Sequence, residues 1–255
     1  GMRIARFSDG TNPVYGALEE GSTRIVGLKG DPLFSPVEPS GQIYELDEVR
    51  LLSPVIPRSK VVGIGDNYSD TPIPAERPEP PIFLKANTSV VGPDDPIAIP
   101  SWSNAVAFEG ELAIVIKSLA KDVSVEDAPQ MILGYTIAND ATARDAMTGG
   151  PWSRGKSFDS ACPLGPWITV DPALDVTNLA IRSYLNGEIA QDSSTAHMIW
   201  NPFELVSYVS HQMTLLPGDV IATGAPAGAQ VVQAGDRVEI EIEGIGRLAN
   251  PVVRA

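Results

Sequence analysis

Phe108-Glu109-Gly110-Glu111-Leu112-Ala113-Ile114-Val115-Ile116 is apolar and β-branched toward its C-terminal end, which favours an extended strand. Side chains on a strand alternate between faces, so Glu109 and Glu111 point the same way, about 6–7 Å apart along the backbone. Two ionised carboxylates ~6 Å apart repel by ~3 kcal/mol at an effective dielectric of ~20. A divalent cation between them reverses that sign. A solvated polar face on an edge strand is the other way to carry the pair.

Outward from this strand, Gly134-Tyr135-Thr136-Ile137-Ala138-Asn139-Asp140 reads as a second strand, and residues 141–147 read as a short helical turn. Asp140 sits at their junction, as a helix N-cap or as a third oxygen ligand. Three carboxylates without His or Cys suit a hard cation: Mg²⁺, Mn²⁺ or Ca²⁺. Ser153-Arg154-Gly155-Lys156-Ser157-Phe158-Asp159 places Lys156 in a loop of small residues. It is either a solvated surface charge or, beside a metal, a cation that stabilises an enolate.

Composition narrows the chemistry further. The 255 residues carry 18 Lys plus Arg against 32 Asp plus Glu, a formal charge of −14. Such a surface repels phosphate backbones, so nucleic acid is not an expected partner. One cysteine (Cys162) and two histidines (His197, His211) fall short of the about four ligands of a structural zinc site and exclude an intrachain disulfide. No apolar run reaches the ~18 residues of a membrane span. Gly1-Met2-Arg3 lacks the apolar region of a signal peptide, and Gly1 reads as a tag-cleavage scar. With a free thiol, the expected compartment is the cytoplasm.

The 23 prolines and 23 glycines argue for many short strands and structured loops. Residues 1–54 read as a small N-terminal unit of short strands, with Leu52-Ser53-Pro54-Val55-Ile56-Pro57 as a linker and residues 55–255 as a larger β-rich unit. The segment from Pro72 to Pro81 holds five prolines with Glu76, Arg77 and Glu79, and reads as a surface loop or lid. Ser124 with Asp127, and Asn201-Pro202-Phe203-Glu204, are helix starts. Asn186-Gly187 marks a hairpin.

Other site types are poorly represented. No G-x-S-x-G elbow or P-loop occurs, and Gly63-Ile64-Gly65 lacks the third glycine of a dinucleotide fingerprint. Cys162 has no neighbour in sequence that would lower its pKa, and reads as a packed thiol.

Read together, ten motifs resemble the fumarylacetoacetate hydrolase family over about residues 58–253. They are Gly65-Asp66-Asn67-Tyr68, Ile82-Phe83-Leu84-Lys85, Phe108-Glu109-Gly110-Glu111-Leu112, Gly134–Asp140, Ala143-Arg144-Asp145, Arg154–Asp159, Pro163-Leu164-Gly165-Pro166-Trp167, Asn186-Gly187-Glu188, Pro217-Gly218-Asp219-Val220-Ile221 and Thr223-Gly224. The resemblance implies a β-rich α+β fold: a mixed β-roll catalytic domain behind a small N-terminal domain, usually as a homodimer. It implies one Mg²⁺ (or Mn²⁺, Ca²⁺) on Glu109, Glu111 and Asp140, with Lys156 and Arg144 at the substrate and its oxyanion. Thr223 and Gly224 fall in the family's substrate-binding T-G-T-P loop. Members act on 2-oxo or 1,3-dioxo carboxylates by C–C hydrolysis, decarboxylation or keto–enol isomerisation, often in aromatic catabolism.

Three departures from the family pattern shape the functional expectation. Hydrolytic members, and several decarboxylating ones, carry a histidine shortly after Asn-Tyr, paired with a glutamate, to activate water; here Asn67-Tyr68 runs on to Ser69-Asp70-Thr71-Pro72, and no histidine precedes His197. The T-G-T-P loop reads Thr223-Gly224-Ala225-Pro226. A frequent glutamine is replaced by Met147. Isomerisation or decarboxylation of a 2-oxo acid therefore suits the chain better than hydrolysis, with Glu76 as the candidate replacement base. The alternatives are C–C hydrolysis with water activated by Glu76, Asp70 or the metal, and a catalytically weakened binding protein.

Overall fold

The structure is a computed structural model that describes residues 1–255. The first strands are β1 (Met2–Ser8), β2 (Pro13–Glu19), β3 (Arg24–Leu28), β4 (Pro39–Glu45) and β5 (Arg50–Leu52). Next come β6 (Val61–Ile64), β7 (Ile82–Lys85), β8 (Val90–Val91), β9 (Ile97–Ile99), β10 (Val106–Ala107), β11 (Gly110–Ile116), β12 (Ile132–Asn139) and β13 (Thr142–Ala143). After the short α1 (Ser153–Lys156) run β14 (Cys162–Val170), β15 (Ala180–Leu185) and β16 (Glu188–Ser194). The chain ends with α2 (Pro202–Gln212), β17 (Val220–Ala222), β18 (Arg237–Ile242) and β19 (Gly246–Arg254).

A 12-stranded sheet runs β4-β3-β2-β1-β14-β12-β11-β17-β6-β7, with β5 on β1 and β8 on β14. A five-stranded sheet, β16-β15-β18-β19-β9, and the small pair β10-β13 complete the architecture. The sheets are mixed: β17–β6, β14–β8 and β19–β9 are parallel, and the other pairs are antiparallel. The fold is therefore β-rich, as expected. The first fifty residues continue the large sheet, because β1 pairs with β14 through Met2–Val170 and Ile4–Ile168.

β11 lies between β12 and β17, and all seven of its residues are buried. The strand is therefore not an edge strand, and Glu111, 1% exposed, is not on a solvated face. One apolar cluster joins Leu112 and Ile137 to Ile181, Ile240 and Leu248 of the second sheet. Another packs Ile114 and Ile116 against Leu205, Val206 and Val209 of α2. On the opposite face Ala113 and Val115 pack with Ile4, Val61 and Leu164, so the central strand is anchored on both faces and its end is a rigid place to mount a site.

α2 starts where the sequence places it. Asn201 Oδ1 accepts the Glu204 N–H at 2.9 Å, and Glu204 Oε1 accepts the Asn201 N–H at 3.0 Å, a complete capping box. Asn201→Ala removes the first bond and should cost about 1 kcal/mol, a Tm fall of about 2–4 °C in a thermal melt. An unchanged Tm would mean that Pro202 and the apolar face alone define this terminus. The signal at Ser124 closes a turn instead of a helix. Its hydroxyl accepts the Asp127 N–H at 3.2 Å, and a four-residue 3-10 helix follows over Ala128–Met131 with Pro129 inside it. Residues 141–147 likewise form β13 and a 3-10 turn over Arg144–Ala146. Asn186 and Gly187 sit at φ 53° and 83°, as a two-residue primed hairpin turn requires.

Candidate metal centre and active site

The antiparallel register sets Gly110 against Asn139, so Glu109 and Asp140 flank one end of the β11–β12 pair. The Asp140 N–H donates to Glu109 O at 2.9 Å, and the Glu109 N–H to Asn139 Oδ1 at 3.0 Å. β17 lies on the other edge of β11, with Ala222 opposite Ala113. Its continuation carries Gly224, whose N–H donates to Glu111 Oε1 at 2.8 Å. Gly224 holds φ +99°, and a Cβ there would come within 2.8 Å of Asn67 Cβ. Only glycine lets this backbone reach Glu111.

Glu109, Glu111 and Asp140 each offer a carboxylate oxygen within 4.8 Å of the others. Glu111 is 1% exposed and Asp140 2%, while the Glu109 side chain is 28% exposed toward the cavity. Lys156 Nζ donates to Glu109 Oε2 (3.1 Å), Asp140 Oδ2 (2.8 Å) and Thr142 Oγ1 (2.8 Å). Lys85 Nζ reaches the other Asp140 oxygen at 2.5 Å and the Ala141 carbonyl at 3.2 Å.

These surroundings split the three acids. Burial pushes Glu111 well above the usual carboxylate range, and Asp140 and Glu109 add like-charge repulsion. Burial and Asp140 raise Glu109 as well, against the pull of Lys156. Burial would also raise Asp140, but Lys85 and Lys156 outweigh it and hold that acid at about 2. Desolvation pulls Lys156 down, yet Asp140 and Glu109 keep it firmly protonated.

Two lysines thus face three acids, and the most buried acid has one protein donor, the Gly224 N–H. An all-oxygen set with surplus negative charge fits a hard divalent cation. It fits soft-metal or zinc coordination poorly, since both histidines lie elsewhere. His197 meets Ser193 and His211 meets the Ser207 carbonyl, both on exposed surface.

The acids open into a cavity of about 370 Å³ lined also by Ile64, Phe83, Trp152, Met147, Arg144 and Asp70. Phe83 meets Trp152 edge-on at 5.5 Å, and Lys156 Nζ lies 4.3 Å from the centre of the Phe83 ring. Arg144 is exposed on the wall.

Most of the expected site residues therefore converge: Glu109, Glu111, Asp140, Lys156 and Arg144 all face one cavity. Three placements differ. Thr223 is fully buried, and its hydroxyl donates to Leu112 O at 2.6 Å; it ties the end of β17 to β11 and lies outside the cavity lining. Gly224 serves Glu111 through its N–H and does not line the cavity. Glu76 is exposed and also outside the cavity lining. Its neighbour Arg77 pins the loop to α2, donating to both Glu204 oxygens (3.0 and 2.9 Å) and stacking 3.7 Å from the Trp200 ring. Cys162 is buried, and burial pushes its thiol to about 12, as suits a packing residue.

Lys85, the last residue of the Ile82-Phe83-Leu84-Lys85 motif, joins the site as a second buried cation. The sequence signal for it is its place two residues after Phe83 on a short strand, which puts an ammonium on a buried face. A buried lysine implies an acid partner.

Comparison with known proteins supplies a second line of argument. The family profile described as "Fumarylacetoacetate (FAA) hydrolase C-terminal" matches residues 60–253, and "Rv2993c-like, N-terminal" matches residues 2–54. Protein Rv2993c of Mycobacterium tuberculosis is 47% identical over 99% of this chain and 98% of its own length. The mitochondrial oxaloacetate tautomerase fahd2 of Xenopus laevis is 40% identical over 92% of this chain and 77% of its own. A crystal structure of 5-carboxymethyl-2-hydroxymuconate delta-isomerase from Mycobacterium smegmatis superposes with TM-score 0.93 at 41% identity, over 99% of this chain and 100% of that one. The maleylpyruvate hydrolase of Sphingobium sp. SYK-6, crystallised with manganese(II) and pyruvate, gives TM-score 0.82 at 27% identity over 99% of each chain.

Proposed function

Because this chain belongs to the fumarylacetoacetate hydrolase family, we propose that it is a divalent-metal-dependent enzyme that tautomerises or isomerises enolisable 2-oxo carboxylates. One observation carries the reading: three acids and a protonated lysine share a single cavity that contains no histidine. Glu109, Glu111 and Asp140 would hold the cation, Mg²⁺ or Mn²⁺, which acts as a Lewis acid toward the substrate's carboxylate and oxo oxygens.

The chain's own groups do the rest. Lys156 Nζ, braced by Asp140 and Thr142, supplies a fixed positive charge for a developing enolate. Arg144 presents a planar fork suited to a second carboxylate. Phe83, Trp152 and Met147 form an apolar wall that limits water. These cations act against a molecular charge of −14, so the attraction for an anionic substrate is local.

The purified protein with Mg²⁺ should speed the enol-to-keto conversion of oxaloacetate, followed by loss of enol absorbance. Excess EDTA should return the rate to that of buffer. An EDTA-insensitive rate, or none across a panel of 2-oxo acids, would refute the reading. The likeness to maleylpyruvate hydrolase motivates a second reading, C–C hydrolysis; release of pyruvate and a free acid from an acylpyruvate would favour it. A homodimeric assembly is part of the same proposal and is checked by light scattering after gel filtration.

A further inference from the structure

Tautomerisation needs a group that accepts a proton from carbon, and neither Glu76 nor a histidine lines the cavity. Asp66, Tyr68 and Asp70 do, along one short ledge. The residues between them anchor that ledge. The Asn67 amide donates to Trp200 O (3.0 Å) and Thr223 O (2.8 Å), and its oxygen accepts the Trp200 N–H (2.9 Å). The Ser69 N–H donates to His197 O at 3.0 Å, and Tyr68 bridges to Met198. The backbone is thus held on both sides of Tyr68.

Almost every other ionisable group on the cavity wall is already engaged or held in its acid form. Asp140 carries Lys85 and Lys156, and Glu109 carries Lys156 and Thr142. Glu111 takes the Gly224 N–H. Burial, with Glu111 nearby, pushes the Tyr68 phenol far above its usual range, so it stays a donor. Arg144 is a permanent cation. Asp66 has a backbone reason to be aspartate, since φ +48° is a region that Asp and Asn tolerate best among residues other than glycine. Asp70 is exposed, lines the cavity, and its carboxylate is engaged in no ion pair or hydrogen bond within the protein.

We propose that Asp70 is the catalytic residue that takes the C3 proton of a 2-oxo acid bound in the cavity; this rests on reading the site as one that enolises such acids. The C3–H bond breaks and its electron pair forms the C2=C3 bond. The C2=O pair moves onto oxygen, where Lys156 offsets the charge. Asp70 passes its proton to solvent, and the enolate oxygen collects one from solvent. Atoms and electrons balance without a further reactant.

The test uses the full chain with Mg²⁺ and two readouts: oxaloacetate tautomerisation, and exchange of pyruvate methyl protons for deuterium in D₂O by ¹H NMR. Asp70→Asn should lower both rates by ~10²–10⁴-fold, with the Kd for pyruvate and the Tm unchanged. Asp70→Glu should recover part of the loss. Added formate should rescue Asp70→Ala, which no purely structural role would allow. Wild-type exchange that survives in Asp70→Asn overturns the assignment alone; if Asp66→Asn abolishes it instead, the role belongs to Asp66. A wild type that neither exchanges pyruvate nor tautomerises oxaloacetate overturns both this assignment and the proposed function.

Discussion

Glu111→Gln should yield a metal-free protein that melts higher than wild type, and a protein that no longer gains stability from Mg²⁺ or Mn²⁺. The wild-type side chain is 1% exposed, and its carboxylate is pushed up by burial, then by Asp140 and Glu109. Glutamine keeps an oxygen for the Gly224 N–H and removes the charge. For wild type, saturation at 100 times Kd adds about 2.7 kcal/mol, or ~5–10 °C in Tm for a chain of this size. Glu111→Gln should lose that shift, with affinity reduced beyond the ~100-fold typical of changes around the ligands. Turnover should fall with it.

The pH dependence follows from the same groups. An acid with a raised folded pKa stabilises fully below its unfolded pKa, and loses that contribution as pH rises toward the folded value. In chelator, Glu111 and Glu109 should therefore erode wild-type stability as pH climbs above 4.5. Asp140 works in the opposite sense: its contribution is present above 3.8 and fades as pH falls to about 2. With Mn²⁺ bound, Glu109 and Glu111 stay ionised and the decline above 4.5 should flatten. Melting curves from pH 4.5 to 8, with EDTA and with Mn²⁺, read both trends. A lower Tm for Glu111→Gln in EDTA at pH 8 would show that the buried charge is not a burden.

The parts of the site legible in the sequence are those set by local periodicity. Two acids with one glycine between them share a strand face, and a third acid at the end of the neighbouring strand can meet them once the two strands pair. The Asn201 capping box and the Asn186-Gly187 turn are equally local. What was not legible depends on partners distant in sequence. Lys85 finds Asp140 across 55 positions, a pairing that no nearby residue announces. The Thr223 hydroxyl is turned inward because β17 lies against β11, which needs the register of Ala222 with Ala113. Glu76 sits in a proline-rich loop whose path is set by Arg77 gripping Glu204, 127 residues away. Ser124 starts no α-helix because Pro129 lacks the N–H that would continue one, and a short 3-10 helix follows instead.

Lys85→Met should be the most destabilising single change at the site. The lysine side chain has no exposed surface, and its ammonium is matched to Asp140 and the Ala141 carbonyl. Methionine fills similar volume but leaves a buried carboxylate short of one of its two cations. Breaking such a pair costs ~3–5 kcal/mol, or a Tm fall of ~6–20 °C. Asp140→Asn strands Lys85 in the same way, and should also cost several degrees. The double variant Lys85→Met with Asp140→Asn removes both charges together. It should melt well above the value expected by adding the two losses, with a coupling of ~0.5–3 kcal/mol. Lys156 remains in every variant, still held by Glu109, so the cycle isolates the hidden pair. Additive losses across the cycle would mean that Lys85 acts through packing alone. The second consequence is chemical. Without Lys85, Asp140 loses one of the two cations that hold it at about 2. It should then protonate at higher pH and bind a cation more weakly in mild acid than the wild type does. Mn²⁺ titration of Lys85→Met at pH 5 and pH 7 tests this: the affinity ratio between the two should exceed the wild-type ratio.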